Sequence, residues 1–151
     1  MPSKTRKMRQ INKIILHCTA TPEGRETTVD DIRKWHKAQG WSDIGYHYVV
    51  YLDGTVKKGR PIETIGAHTQ GHNAGSIGIV YVGGIDKMTL KPKDTRTAKQ
   101  KESLHNLLME QMLKYKVATL HGHNEFAPKA CPSFDVKKEY ADIIKFFKDA
   151  K

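Results

Sequence analysis

The chain has only two cysteines in 151 residues, and it has no long apolar run, no repeat and no low-complexity segment. Two thiols, Cys18 and Cys131, cannot supply the paired cysteines of a zinc finger, so a closed structural zinc site is disfavoured. In a reducing cytoplasm they are not expected to bond to each other either. The longest apolar stretch is far short of the ~20 residues that cross a bilayer, which argues against membrane insertion. The start is basic (Lys4, Arg6, Lys7, Arg9, Lys13) and imitates the head of a signal peptide. Only Ile14, Ile15 and Leu16 follow before His17, too few for the apolar region of such a signal. Cytoplasmic synthesis is therefore expected, with residues 1–11 read as a solvated basic arm. The basic residues are not gathered on a recognition helix, and no nucleic-acid motif is present.

The remaining composition is that of one folded domain. At 38% apolar and 28% charged, the chain is neither disordered nor fibrous. Its length suits one core and is too short for two ordinary ones. The formal charge of +10 asks for an anionic partner. Nucleic acid, an anionic cell-wall polymer and an acidic membrane surface all satisfy it.

Residues 12–18, 46–52 and 77–82 are short apolar runs rich in β-branched and aromatic residues, and they predict buried strands. Asp53-Gly54 supplies a hairpin turn after the second, with 55–58 returning. A short strand over 117–120 leads into His121 and His123. Thr28 and Thr97 begin capping patterns for two helices, the first stopped at Gly40, the second carrying Leu104, Leu107, Leu108 and Met112 on one face. Asp135 caps a third, with Tyr140, Ile143, Ile144 and Phe147 turned inward. The order β-α-β-β-β-α-β-α predicts an α/β domain with a central mixed sheet flanked by about three helices.

The chemistry-bearing residues fall at the ends of these elements. His17 closes an apolar strand, a histidine lies at 121 or 123 after another strand, and Cys131 sits in a turn between Pro128 and Pro132. Two imidazoles and one thiolate make a three-ligand zinc set with its fourth position open to water, the arrangement of a catalytic zinc. The spacing does not decide between His121 and His123. Cys18 should face away from His17, because side chains alternate along a strand, and it reads as a small buried apolar residue. By the same alternation His47 is packed rather than catalytic, while His36 and His105 read as surface or boundary residues. Glu125, two residues after His123, is a candidate general base and equally an exposed loop carboxylate.

Several motifs recur in order: LHCTAT at 16–21, WHKAQGW at 35–41, IGYHY at 44–48, DGTV at 53–56, GAH at 66–68, SIGI at 76–79, VGGID at 82–86 and APKACPSFD at 127–135. Together the chain resembles the zinc-dependent N-acetylmuramoyl-L-alanine amidases, most of all the lysozyme-type amidases of phages, with the animal peptidoglycan-recognition proteins as wider relatives. The resemblance runs from about residue 12 to 148 and implies a zinc amidase domain over 12–151. It implies His17, His123 and Cys131 as zinc ligands, selecting His123 over His121. It also implies Tyr46 and Lys129 as catalytic partners and His68 as a substrate-pocket histidine. The implied reaction is cleavage of the bond between N-acetylmuramic acid and L-alanine in peptidoglycan, by a monomer acting on the wall after release. Some members of the wider family bind peptidoglycan without cutting it, and some phage members also bind RNA polymerase. Both are alternatives that the resemblance carries with it.

Overall fold

The computed structural model describes residues 8–150. The elements in order are β1 (Lys13–Cys18), β2 (Thr21–Pro22), α1 (Val29–Ala38), β3 (Tyr48–Val50), β4 (Val56–Lys58), β5 (Ser76–Tyr81), β6 (Gly84–Ile85), α2 (Ala98–Tyr115), β7 (Leu120–Gly122), α3 (Val136–Glu139) and α4 (Ala141–Asp149). A 3-10 turn, His123–Glu125, follows β7. Five strands form one sheet in the order β4-β3-β5-β1-β7. All neighbours are parallel except β4, which returns antiparallel on β3 across the Asp53-Gly54 hairpin.

β1 and β5 lie inside a sheet covered on both faces, which is why their sequences are continuous apolar runs instead of alternating ones. Alternation still sorts their side chains. Ile14, Leu16 and Cys18, with Ile77, Ile79 and Tyr81, face a large core completed by Leu104, Leu108 and Met112 of α2 and Ile143 and Phe147 of α4. On the opposite face Val49, Val80 and Val82 meet Ile32 of α1 and Ile44 in a smaller cluster. Both predicted capping boxes are present. The side chains of Thr28 and Thr97 accept from the third helical N–H while Asp31 and Gln100 reach back to the cap.

Several expectations are corrected. The third helix is two: the chain leaves helical geometry at Tyr140 (φ −111°, ψ 26°), where Arg96 holds both the Tyr140 hydroxyl at 2.8 Å and Glu139 at 2.9 Å. The last strand starts at Leu120 rather than 117, because α2 ends on a left-handed Lys116 and pairing with β1 begins only at Leu120. β2 and β6 form a small parallel sheet outside the predicted strands. The arm is not wholly solvated. Arg9 donates to the carbonyls of Ile62 (2.8 Å) and Ala74 (3.2 Å), and Ile11 is buried; residues 1–7 lie outside the described residues. His36 is buried instead of peripheral, its Nδ1 accepting from the Gly45 N–H at 2.8 Å. Among the described residues no helix is long and apolar enough to cross a membrane.

Candidate metal centre

β1 and β7 are neighbours, and the chain passes from β1 to α1 on one face of the sheet and from β7 to α3 on the other. A crevice opens at such a point in parallel sheets, and ligands settle in it. His17 is the penultimate residue of β1, and His123 is the first residue after β7. Cys131 arrives from a loop pinned from below. The Tyr81 hydroxyl donates to the Pro132 carbonyl at 2.6 Å, Ser133 donates to the Gly84 carbonyl at 2.9 Å, and the Cys18 N–H donates to the Cys131 sulfur at 3.2 Å. Gly84, at φ +104°, has no Cβ to collide with the Cys18 sulfur packed against it.

One ligand atom from each of His17, His123 and Cys131 lies within 4.8 Å of the other two. His17 Nδ1 is 3.8 Å from Cys131 Sγ, and the two imidazoles are 4.6 Å apart between ring centres. Tetrahedral zinc with Zn–S and Zn–N bonds of ~2.3 and ~2.0 Å sets a sulfur–nitrogen separation of about 3.5 Å. The residues present therefore fit the ion. Burial holds His17 well below the ordinary histidine range, with His68, His123 and Lys129 adding to the effect. Burial and Lys129 lower His123 as well. Both rings are thus neutral and able to ligate at pH 7. The hydrogen-bonded Cys18 thiol and burial push the Cys131 thiol up, so a metal held there would displace a proton.

Cys18 faces away from His17, as alternation predicts, and it is buried. It is not remote from the site, however, because its backbone and its thiol both touch Cys131. His121 points elsewhere, to Glu125 Oε1 at 2.8 Å. Glu125 also accepts from the Gly122 N–H at 2.9 Å and pairs with Lys137 at 3.3 Å. These bonds tie the carboxylate to the 3-10 turn, away from the three-ligand cluster.

A cleft of about 690 Å³ borders the cluster, lined among others by Trp41, His68, Asn73, His123, Phe126 and Lys129. Tyr46 stands beside it with its ring 5.0 Å from that of His17, and burial pushes its phenol up. Among the described residues its hydroxyl has no hydrogen-bond partner. His36 supports this loop from behind, its ring 5.5 Å from Tyr46 and 4.4 Å from Trp41. His68 lines the cleft, yet both ring nitrogens are engaged within the protein: Nδ1 with His17 Nε2 at 2.9 Å and Nε2 with Ser76 Oγ at 3.2 Å. The sequence assigns no site role to Thr69, Ser76 or Tyr81, and it reads His36 only as a surface or boundary residue. Their only signal there is a polar residue bordering a buried run or facing a glycine-rich segment.

Residues 7–134 match the family described as N-acetylmuramoyl-L-alanine amidase. The endolysin of Escherichia phage T7 is 47% identical over 125 residues, covering 83% of this chain and 82% of that protein. The endolysin of Klebsiella phage KP32 is 43% identical over 132 residues, 87% of each. Among solved structures, the N-acetylmuramoyl-L-alanine amidase LysC from Clostridium intestinale URNW superposes with a TM-score of 0.75 at 31% identity, covering 89% of this chain and 86% of that one.

Proposed function

Because the chain belongs to the N-acetylmuramoyl-L-alanine amidase family, we propose that it is a zinc enzyme in which His17, His123 and Cys131 hold the metal and Tyr46 and Lys129 act on the substrate. Peptidoglycan amidase activity comes with the family. The metal and the residue roles are the part specific to this reading. The observation that carries it is the 3.8 Å approach of Cys131 Sγ to His17 Nδ1 inside a cluster that also takes in His123. Two imidazoles and a thiolate are a donor set suited to zinc, and three protein ligands leave a coordination position free.

Zinc held there would bring the pKa of a bound water to about 7 and polarise the scissile carbonyl. The chain's own residues do the rest. The cleft receives the stem peptide so that the amide between the lactyl group and L-alanine lies between His123 and Lys129. As the carbonyl oxygen gains charge, the Lys129 ammonium and the Tyr46 hydroxyl donate to it. Burial keeps the Tyr46 phenol protonated, so it remains a donor throughout the neutral range. A preorganised donor of this kind is worth about 10²–10³ in rate. Glu125 takes no part in this scheme, because its oxygens are spent on the turn. Residues 12–151 make up the catalytic unit, with Arg9 and Ile11 packed against it. The two endolysin relatives support lysis of the wall as its setting.

The test is digestion of purified peptidoglycan with mass analysis, before and after exhaustive chelation. Release of stem peptides with free L-alanine amines, lost on chelation and restored by zinc, is expected. Full activity in metal-free protein would sink the metal assignment.

A further inference from the structure

We propose that His68 is a positioning residue whose hydrogen bond fixes the ring proton of His17 on Nε2, so that Nδ1 is presented bare to the metal. The inference rests on the zinc reading above. It begins at a carbonyl, which can only accept. Ser76 Oγ is 2.7 Å from the His72 carbonyl oxygen and must spend its one proton there. The same hydroxyl lies 3.2 Å from His68 Nε2, so that nitrogen is the donor. A neutral His68 then has a bare Nδ1, and this atom sits 2.9 Å from His17 Nε2. His17 must therefore carry its proton on Nε2, which leaves Nδ1, the nitrogen facing Cys131, with its lone pair free. The Thr69 hydroxyl, 3.0 Å from His68 Nδ1 and 3.3 Å from His17 Nε2, flanks the same bond.

The surroundings hold this chain in one state. His17, His68, Thr69 and Ser76 are all buried, so water does not compete for the bonds. Among the described residues no carboxylate bonds the His68 ring, so nothing there favours a second ring proton. The loop carrying His68 is fixed because the N–H groups of His68 and Thr69 both donate to Asn73 Oδ1, at 2.9 and 2.8 Å. Gly78 makes the ring's position attainable, since a Cβ there would come within 2.5 Å of His68 Cδ2. A pocket histidine meant to grip substrate would need a free nitrogen, and His68 has none. Outer partners of metal-bound histidines set ring orientation and tautomer, and their loss typically lowers metal affinity about 10–100-fold.

Two measurements test this. In metal-free unsubstituted protein, nitrogen-15 NMR of the imidazoles should show both His17 and His68 protonated on Nε2. Protonation of His17 on Nδ1 would overturn the proposal, whatever the zinc affinity proves to be. That measurement separates this inference from the zinc reading, which fails instead if the unsubstituted protein binds no zinc. The second measurement is zinc affinity by competition with a chelating dye. His68→Leu removes the acceptor and should weaken binding about 10–100-fold. His68→Asn keeps an acceptor oxygen near the Nδ1 position and should recover most of that loss. Equal affinities for His68→Leu and the unsubstituted protein, or an equal loss in both variants, would refute the hydrogen-bond role. If His68→Leu does not fold, the tautomer measurement and His68→Asn still decide.

Discussion

Two tyrosines, Tyr46 and Tyr81, both have burial-raised phenols, and removing their hydroxyls should have opposite consequences. The Tyr81 hydroxyl is buried and donates to the Pro132 carbonyl at 2.6 Å. Tyr81→Phe therefore strands an acceptor beneath the Cys131 loop, a loss of about 1–3 kcal/mol. For a chain of this size that lowers Tm by about 3–10 °C. The Tyr46 hydroxyl has no partner among the described residues, so Tyr46→Phe should leave Tm within a degree or two. It should instead lower kcat by about 10²-fold or more, near 3 kcal/mol of transition-state stabilisation, with KM little changed. Calorimetry and steady-state turnover of a soluble muropeptide on the two proteins side by side give the answer. A Tyr46→Phe protein that turns over at the parental rate with normal zinc content would remove Tyr46 from the chemistry. A Tyr81→Phe protein as stable as the parent would mean that the Cys131 loop is not held from below.

Lys129→Met should behave like Tyr46→Phe, keeping zinc and fold while kcat drops about 10²-fold; retention of full turnover would exclude Lys129 as an oxyanion donor. Cys131→Ser should lose zinc and activity together, whereas Cys18→Ser should keep zinc, since the residue 18 N–H that donates to the Cys131 sulfur survives the substitution; metal analysis of folded Cys18→Ser decides whether the ligand is the right cysteine. Metal-free protein should weaken as pH falls below 6.5, because the folded state holds His47 at about 4 and His68 at about 3. The unfolded chain binds those protons first, so each histidine costs about 1.4 kcal/mol per pH unit down to its folded value. A flat urea midpoint between pH 6.5 and 4.5 would contradict this. Gly84→Ala forces a side chain at φ +104° against the Cys18 sulfur and should destabilise the fold by about 1–3 kcal/mol, read from the urea midpoint.

Local chemistry made much of this architecture readable before the structure. The caps at Thr28 and Thr97 and the hairpin at Asp53-Gly54 are decided by groups within a few residues of one another, and they stand where expected. The apolar runs of β1 and β5 likewise announced strands covered on both faces. What was hidden depends on partners far away in the chain. The break at Tyr140 coincides with Arg96, 44 residues earlier, and the burial of His36 comes from a bond to Gly45 across the turn. β2 and β6, two residues each, are too short to carry a periodic signal, and they pair only because the loops above the site meet. For the site itself, spacing could propose a metal set but could not choose between His121 and His123. The bond from His121 to Glu125 turns that ring out of contention. Each member of the chain His17–His68–Ser76 lies in a recognisable motif, but the bonds joining them are invisible to sequence because they link three separate segments.

His17 and Cys131 stand 114 residues apart in the chain. In the zinc-bound protein the ion would tie them as a cross-link, closing a loop that takes in nearly the whole sheet. A disulfide spanning about 100 residues restricts the unfolded chain by some 4–5 kcal/mol on entropic grounds, and a metal that stays bound acts in the same direction. The proposed ligands His123 and Cys131 both follow β7, which pairs with β1 beside His17. A nascent or truncated chain ending before that strand could not assemble the site. Under the zinc reading, hydrolytic competence would then require the chain through Cys131.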